Sequence, residues 1–275
     1  MKKYRFLLFF IFMALCHNGI GQKANYRIVY QQCIQFDTLK TLYDTVGYQA
    51  TLVGNNNYSN YTWNKIYTHV KDTNSITVAQ LYSANKSGTT KLKIGGAVAD
   101  SFGNQVFYNK RKDSILLREK MKDEYVITRE LRPEIDWKIL QDKMIIAGFN
   151  CIKAVGDFRG RHYTAWFTTD IPIVEGPWKF KGLPGLILKI VDDRNQVKIY
   201  AVKVEYPVTV QVLKFEGEGT LMSNKTYVEY RDKELAEMLR KMEQMNTSQE
   251  GFSKTGLSPK IKKKQGIFGI ELIAK

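Results

Sequence analysis

The stretch Gly176-Pro-Trp-Lys-Phe-Lys-Gly-Leu-Pro-Gly-Leu-Ile-Leu188 organises our interpretation of the whole chain. Pro177 and Pro184 restrict their own φ angles and keep the residues before them out of the helical region. The glycines between them allow a positive φ or a close backbone approach. A regular helix or central strand is therefore excluded before Leu186. We expect a structured loop, anchored by its aromatic side chains, that leads into a strand over 186–191 and contains no nucleophile, general base or metal-ligand cluster.

Outside this stretch, short runs rich in β-branched and aromatic residues recur between polar turns. This spacing is typical of an antiparallel sheet, a meander or a barrel-like fold. Strands and helices do not alternate, which argues against a doubly wound fold. Residues 54–63 are interpreted as a polar loop because asparagine favours turns. The predicted strands cover 26–30, 75–82, 105–108, 114–117, 124–128, 143–147, 151–155, 162–168, 186–191, 197–204 and 208–213.

One amphipathic helix is predicted near the C-terminus, over Lys233–Met245. Its apolar residues fall at helical spacing on one stripe, which we expect to dock on the sheet; a membrane-surface or partner-binding helix is the alternative. The stripe consists of Leu235, Met238, Leu239, Met242 and Met245. The predicted domain organisation is a single β-rich domain over 22–245 and a flexible basic tail over 246–275.

The N-terminus indicates export. Basic residues precede the apolar run 6–15, and the small residues Gly19 and Gly21 precede a cleavage position. This pattern predicts a secretory signal peptide over 1–21, too short and wrongly flanked for a membrane span. Cleavage before Cys16, as in a lipoprotein, fits less well because Leu15 is bulky. We expect a periplasmic or secreted protein, with outer-membrane association as one version of that location.

The formal net charge is +15. A basic exported protein is attracted to anionic lipid head groups or polyanionic glycans. Nucleic acid is disfavoured because no recognition motif accompanies the charge. The sequence has no Walker loop, no Gly-x-Gly-x-x-Gly and no hydrolase or metalloprotease motif, so we expect no cofactor and no enzymatic activity.

The cysteines, histidines and acidic pairs allow few reactive groupings. Removal of the signal leaves Cys33 and Cys151, which either form a disulfide or stay unpaired. A nucleophilic pair of Cys151 and His162 is the one hydrolase hypothesis, although a structural strand histidine is commoner. Asp192 and Asp193 are interpreted as the start of a turn rather than as cation ligands, so no metal site is predicted.

Aromatic residues in and before the organising loop form the candidate site. They line a groove for a lipid, glycan or peptide, or they anchor the core and the loop; the sequence leaves both interpretations open. Arg161 and Lys179 would supply charge to such a groove. The candidate ligand-binding residues are Trp137, Arg161, Trp166, Trp178, Phe180, Gly182, Pro184 and Gly185.

The same region resembles a known family. Gly182-Leu-Pro-Gly-Leu-Ile187 is similar to the signature of the GLPGLI family, also called Porph_ging, of exported Gram-negative proteins. The surrounding matches are Asp136-Trp-Lys-Ile139, Gly148-Phe-Asn-Cys-Ile-Lys-Ala154, Gly160-Arg161, Ala165-Trp-Phe167, Ile171-Pro-Ile173 and Gly176-Pro-Trp-Lys-Phe180. The resemblance is strong over about 130–193. It implies no established activity and no catalytic residues, and by analogy it implies an open, curved antiparallel sheet or half-barrel.

Together these observations predict a mainly β, exported envelope protein that binds an apolar ligand or an outer-membrane partner without catalysis. The alternatives are a structural or assembly protein whose signature loop only locks the fold, and a hydrolase that uses a cysteine and a histidine.

Overall fold

A computed structural model describes residues 25–35, 45–63, 100–122, 124–209 and 213–249. The mainly β prediction is confirmed, since twelve strands of these residues join in one sheet. The strands are β1 Tyr26–Gln35, β2 Thr45–Gly54, β3 Tyr58–Trp63, β4 Asn104–Asn109, β5 Ser114–Met121, β6 Glu124–Leu131, β7 Lys138–Ile146, β8 Phe149–Phe158, β9 Arg161–Thr168, β10 Leu186–Asp192, β11 Val197–Glu205 and β12 Thr220–Met222. The predicted signal peptide, the strand over 75–82 and the tail beyond 249 lie outside the described residues.

The sheet is open, with β12 at one edge and β7 at the other. The strand order is β12-β6-β5-β4-β3-β2-β1-β11-β10-β9-β8-β7. Neighbouring strands are antiparallel except for the short parallel pair of β12 and β6. Because β1 pairs with both β2 and β11, the N-terminal strand joins the two halves of the sheet.

Strand alternation places the core on one face of the sheet. In β9, Arg161, Tyr163, Ala165 and Phe167 are buried, while Trp166 on the opposite face is partly exposed. This division of β9 into two faces is the alternation expected of the strand predicted over 162–168. The organising loop lies against the face that carries Tyr163, so the predicted loop is part of the core.

The hairpins that flank β8 use two-residue turns. Ala147 and Gly148 connect β7 to β8 with φ values of 49° and 85°, and Arg159 and Gly160 connect β8 to β9 with 43° and 84°. Positive φ at both positions is the geometry that matches the twist of paired strands. The first of these turns lies at 147–148, at the end of the strand predicted over 143–147 and ahead of the one predicted over 151–155.

Two local predictions were wrong. Residues 54–63 were expected to be a loop, but only 55–57 form the turn, and Tyr61 and Trp63 in β3 are buried. The Asn55 side chain makes this turn by accepting hydrogen bonds from the backbone N–H groups of residues 57 and 58, at 2.9 Å each. The strand expected over 208–213 is not formed at its described residues 208, 209 and 213, and residues 210–212 lie outside the described part of the chain.

The single helix of the described chain, α1, spans Asn224–Gln249. It contains the predicted helix but begins nine residues earlier, because the Ser223 side chain caps it by accepting a hydrogen bond from the Thr226 N–H at 3.1 Å. Tyr227 in its first turns is buried against the sheet. The side chains of the predicted apolar stripe lie outside the described part of the structure. No helix among the described residues is long and apolar enough to cross a membrane.

Candidate functional site

The signature loop, residues 176–185, crosses the core face of the sheet between β9 and β10. Two of its glycines explain its path. An ideal Cβ on Gly185 would lie 2.1 Å from the Thr168 carbonyl oxygen, and one on Gly176 would lie 2.5 Å from the Phe180 carbonyl oxygen. Regular pairing resumes at Leu186 opposite Thr168, and the Ile187 N–H donates to the Glu175 carbonyl oxygen at 2.8 Å. The predicted close backbone approaches therefore occur at both ends of the loop.

The aromatic residues of the loop are packed into the core. Trp178 is 7% exposed and Phe180 is fully buried. The Phe180 ring lies 4.7 Å from the Tyr163 ring and 5.9 Å from the Trp178 ring, and Trp178 makes an edge contact with Phe158 at 6.1 Å. Trp178 also has a φ of 55°, which the surrounding packing holds in place. These residues anchor the loop and leave no groove between them.

Trp137 and Trp166 lie on opposite faces of the sheet. Trp137 packs over Gly156 on the core face, and its indole N–H donates to the Lys181 carbonyl oxygen at 2.8 Å. Trp166 pairs across the strands with two lysines on the outer face, Lys153 and Lys189. The predicted aromatic constellation is therefore divided, because the fold does not bring Trp166 to the signature loop.

The exposed part of the signature loop is small. Gly182 is exposed with a φ of +101°, beside the Trp137 ring, and Pro184 is also exposed. The other residues of the loop are buried. The predicted ligand-binding residues of the loop thus offer a ligand only a narrow surface.

Arg161 and Lys179 neutralise buried carboxylates. The Arg161 guanidinium lies 2.6 Å from Asp192 and also donates to Gln196 at 2.8 Å. The Lys179 ammonium lies 2.6 Å from Glu130. Both cations are therefore committed to ion pairs within the fold and do not serve a groove.

Asp192 and Asp193 have separate structural environments. Asp192 is buried and accepts the Val197 N–H at 2.8 Å, and its carbonyl oxygen accepts from the Asn195 N–H at 3.1 Å. Asp193 is exposed in the predicted turn. Across the described ranges, no three potential metal ligands form a cluster.

A buried ionic network beside the loop was not predicted from the sequence. Glu175 is 2% exposed, and its carboxylate pairs with Lys181 and with Lys110, the latter at 3.0 Å. The Ser59 hydroxyl donates to the same carboxylate at 3.2 Å. Burial alone would raise the pKa of Glu175, but the charges of the two lysines outweigh it and hold that pKa below its usual range. Ser59, Tyr61 and Trp63 are spaced two residues apart, as on the buried face of a strand. This spacing was the sequence signal for Ser59, but residues 54–63 were interpreted as a loop.

Two cavities border the buried charges. One of about 410 Å³ opens beside the Glu175 network and is bounded by residues 172–175 of the approach to the loop. A second of about 600 Å³ lies between the end of β6 and the first turns of α1, next to Glu130. Arg132 lines both cavities. Each cavity therefore carries several charged groups on its walls.

The candidate disulfide is not formed, and the alternative of two unpaired cysteines holds. Cys33 and Cys151 are both free, and the strands β11, β10 and β9 lie between their own strands β1 and β8. Four strand spacings amount to roughly 19 Å, whereas bonded cysteines need Cα atoms closer than about 7 Å. The fold thus separates the two thiols.

The hydrolase pair is also not assembled. His162 lies opposite Asp157, six residues along β8 from Cys151, which corresponds to about 20 Å along the strand. The His162 ring contacts that aspartate at 2.8 Å. Burial raises the pKa of the Cys151 thiol to about 11. A thiol with this pKa, without the histidine beside it, is not an activated nucleophile.

The edge strand β7 forms a second candidate region. Its side chains are mostly exposed, including three large apolar ones: Ile139 at 49%, Met144 at 38% and Ile145 at 72%. Its pairing with β8 is irregular between Ile139 and Lys143 and regular from Lys143 to Ile146. In the described part of the chain, no strand pairs with its outer side.

Comparison with known proteins locates the family signature within this geometry. A family model described as "Protein of unknown function (Porph_ging)" matches residues 158–189. The resemblance to the Porph_ging family is confirmed. The Porph_ging segment comprises the end of β8, all of β9, the signature loop and the start of β10. It is narrower than the region over which the resemblance was predicted, and the description of the family states no function.

Two solved structures of PNGF-II, in the P21 and C2 space groups, are similar to the chain. They share 15% and 16% sequence identity with it, at TM-scores of 0.48 and 0.47. The matches cover 77% of this chain and 34% and 33% of the PNGF-II chains, so this chain spans about a third of their length. No curated protein matches the sequence.

Proposed function

We propose that this protein is an exported, non-enzymatic binding protein that docks an extended, acidic segment of an envelope protein against β7. Export is supported by the signal-peptide pattern of residues 1–21. The observation that carries the docking proposal is the edge strand itself. It is nine residues long, its outer side pairs with no described strand, and it exposes three large apolar side chains to water.

An unpaired edge strand presents a row of backbone N–H and C=O groups. Such a row accepts an added strand, which gains affinity from main-chain hydrogen bonds and specificity from alternate side chains. The irregular pairing between Ile139 and Lys143 disrupts the first half of β7 and makes it a poorer template for an added strand. The added strand would therefore pair with Lys143–Ile146, where β7 is regular and Ile145 is most exposed.

The charge around this half-strand favours an acidic occupant. Lys143 lies on β7, and the Lys189 ammonium reaches to 4.0 Å from the Met144 sulfur. Asp142 offers a negative charge, but Lys153 lies 3.8 Å from it and balances it. A second copy of the chain would bring its own lysines to the same edge, whereas glutamates or aspartates of another protein would lie opposite them.

The apolar-ligand version of the prediction has less support. Trp178 and Phe180, which would line its groove, pack against each other and the core, and the two cavities described above have charged walls. This packing favours a structural role for the signature loop, so the loop would hold the sheet that presents β7. One molecule can therefore bind a partner at β7 and use the signature loop to stabilise the sheet.

Hydrogen exchange with a synthetic probe tests this proposal. The probe is a short capped peptide that alternates valine and glutamate, and its control replaces each glutamate with lysine. We expect the acidic peptide, and not the basic one, to slow amide exchange over Lys143–Ile146 in the full chain. Lys143→Glu should weaken the acidic peptide several-fold, because it reverses the charge on the edge.

Two serine variants distinguish binding at the edge strand β7 from binding at the opposite edge strand β12. Ile145→Ser removes an apolar side chain that is 72% exposed on β7, and Leu221→Ser removes one that is 71% exposed on β12. Binding should be lost in the first and kept in the second. Equal binding by both variants would contradict the proposal. So would β7 amides that are already protected in the free monomer, because another part of the chain would then cover the edge. A concentration-dependent dimer that excludes the peptide would identify a second copy as the occupant and also overturn it.

A further inference from the structure

We propose that the 410 Å³ cavity beside the signature loop, defined here as the loop cavity, binds the carboxylate of a small organic monoanion. The cavity lies away from β7, between the approach to the signature loop and the turns after β2 and β4. It therefore implies a binding activity beyond the docking of an extended polypeptide. Its lining includes Tyr26, Tyr108, Lys110, Arg132, Glu175 and Lys181.

The walls of the loop cavity carry more positive than negative charge. Three cations line it, Lys110, Lys181 and Arg132, and one carboxylate, Glu175. Asp113 adds a second carboxylate next to the cavity, at 2.9 Å from the Arg132 Nε. The lining itself thus places three cations against one carboxylate, which favours a bound anion, and the exposed Glu134 outside the lining also acts on Arg132. Because Lys181 is 3% exposed, its charge is only weakly screened by water.

The hydrogen-bond donors of the lysines are largely used within the protein. Lys110 reaches the Tyr26 hydroxyl at 3.2 Å, the Asn55 carbonyl oxygen at 2.7 Å and Glu175 at 3.0 Å, which accounts for its three N–H groups. Lys181 contacts Glu175 and lies 3.4 Å from the Ser59 hydroxyl, so one of its N–H groups remains. The lysines therefore contribute mainly positive electrostatic potential to the cavity and offer few hydrogen-bond donors to a ligand.

Arg132 supplies the donors that a ligand needs. Its Nε donates to the Asp113 carboxylate, and its backbone N–H donates to the Asp113 carbonyl oxygen at 2.8 Å. Within the described part of the chain, its two terminal nitrogens have no hydrogen-bond partner. The aspartate itself is fixed by the Tyr108 hydroxyl at 2.6 Å. The guanidinium is therefore held in one orientation with its outer donors available, and a planar carboxylate matches two parallel N–H groups.

The size of the cavity limits the ligand. About 410 Å³ is near the lower end of the range for small-molecule sites, roughly 300–1,000 Å³. Apart from the charges, the walls are formed by Tyr26 and Tyr108, by the turn residues Asn55 and Asn56, and by the segment Pro172-Ile-Val174. The ligand would place its carboxylate at Arg132 and its body against these surfaces. A uronic sugar and the C-terminal residue of a peptide share this chemistry.

Ligand-observed NMR on the full chain tests the proposal with defined probes. The probes are glucuronate and N-acetylvaline, and their neutral controls are glucose and N-acetylvalinamide. We expect at least one carboxylate to bind at about 10 mM, a range suited to weak small ligands, with its neutral control showing no binding. The carboxylate that binds identifies the sugar or the peptide terminus as the source of the ligand.

Matched arginine variants test whether Arg132 contacts the carboxylate of the ligand. Arg132→Gln should weaken the binding carboxylate at least about tenfold, the usual cost of losing a hydrogen bond to a charged group. Arg111→Gln changes an exposed arginine of the neighbouring turn outside the cavity lining, so its affinity should match that of the wild type. The proposal is overturned if neither carboxylate binds, if the neutral controls bind equally well, or if Arg132→Gln binds as tightly as the wild type. None of these outcomes depends on β7.

Discussion

The signature loop and the edge strand β7 reverse the usual relation between regular structure and burial. The loop has no regular pairing between Gly176 and Gly185, yet most of its residues are inaccessible to water. The strand has regular geometry over much of Lys138–Ile146, yet most of its side chains are exposed. The difference arises from position, because the loop crosses the core face of the sheet whereas β7 lies at its edge. In this fold, the irregular segment is the structural one and the regular segment is the accessible one.

Charged residues follow the same division. In and around the loop, Lys179 pairs with Glu130 and Lys181 pairs with Glu175, all largely buried. On β7, Lys143 is exposed and its charge is solvated. A buried ion pair is costly to break because one charge is left without a partner, whereas an exposed charge contributes little to stability. The two regions should therefore respond differently to equivalent substitutions.

The largest difference is expected from glycine substitutions. Gly185→Ala would place a Cβ 2.1 Å from the Thr168 carbonyl oxygen, so the join between β9 and β10 would have to move. We expect it to lower the free energy of unfolding by more than about 4 kcal/mol, or to prevent folding. In Gly148→Ala, in the β7–β8 turn, the new Cβ would have no atom within 4 Å, and the φ of +85° is the only unfavourable feature. It should cost about 1 kcal/mol. Urea denaturation measures both, and equal losses would contradict the comparison.

Lysine substitutions should give a smaller difference. Lys181→Met leaves Glu175 with one fewer cation in a buried site, and Lys110 remains as its partner. We expect a loss of about 3 kcal/mol, the lower end for a broken buried pair. Adding Glu175→Gln should recover part of this loss, because the uncompensated charge is removed.

Lys143→Met is the matched control on β7 and should change stability by no more than about 0.5 kcal/mol, as exposed positions usually do. Thermal denaturation of the three variants provides the comparison. An equal loss in both lysine variants, or no recovery in the double variant, would show that the network around Glu175 does not stabilise the loop.

The smallest expected effect is the acid dependence of stability. Burial would raise the pKa values of Glu130 and Glu175, but their cationic neighbours hold both below the usual range. Because the pKa of each is lower in the folded state, the stability that they contribute is present above the pKa of the unfolded state, about 4.3. It is lost as the pH falls through the folded-state pKa. The unfolding free energy should therefore decrease below about pH 5.

Chemical denaturation at several pH values measures this dependence. The double variant Lys181→Met, Glu175→Gln should show a shallower decrease, because one of the two carboxylates is absent. A decrease as steep as that of the wild type would assign the acid dependence to other groups.

Much of the fold could be predicted from sequence pattern. The strand predicted over 162–168 is β9, and the glycines and prolines of the signature loop correctly marked an irregular segment. β3 was missed because its asparagines and hydroxyl residues resemble a loop locally, whereas pairing with β2 and β4 makes it a strand. The start of α1 was missed because its capping residue, Ser223, precedes a stretch without an obvious apolar stripe.

The candidate site was predicted less well than the fold. The aromatic residues in and before the loop were interpreted either as one groove or as anchors of the core and the loop, and the two faces of the sheet divided them. Glu175 and Arg132 were not selected, since neither belongs to a motif and their partners lie far away in sequence. Lys110 is 65 residues from Glu175 along the chain, and Ser59 is 116 residues away. Local pattern carries no information about such contacts.

The sequence by itself determined the strand periodicity, the loop at the signature and the family resemblance, because these depend on backbone preferences over a few residues. Only the tertiary structure decided which side chains share a face, which charges neutralise one another and which strand ends the sheet. Those properties depend on the order of twelve strands, and that order brings together residues from distant parts of the chain. The buried network at Glu175, the loop cavity and the accessible edge at β7 all follow from it.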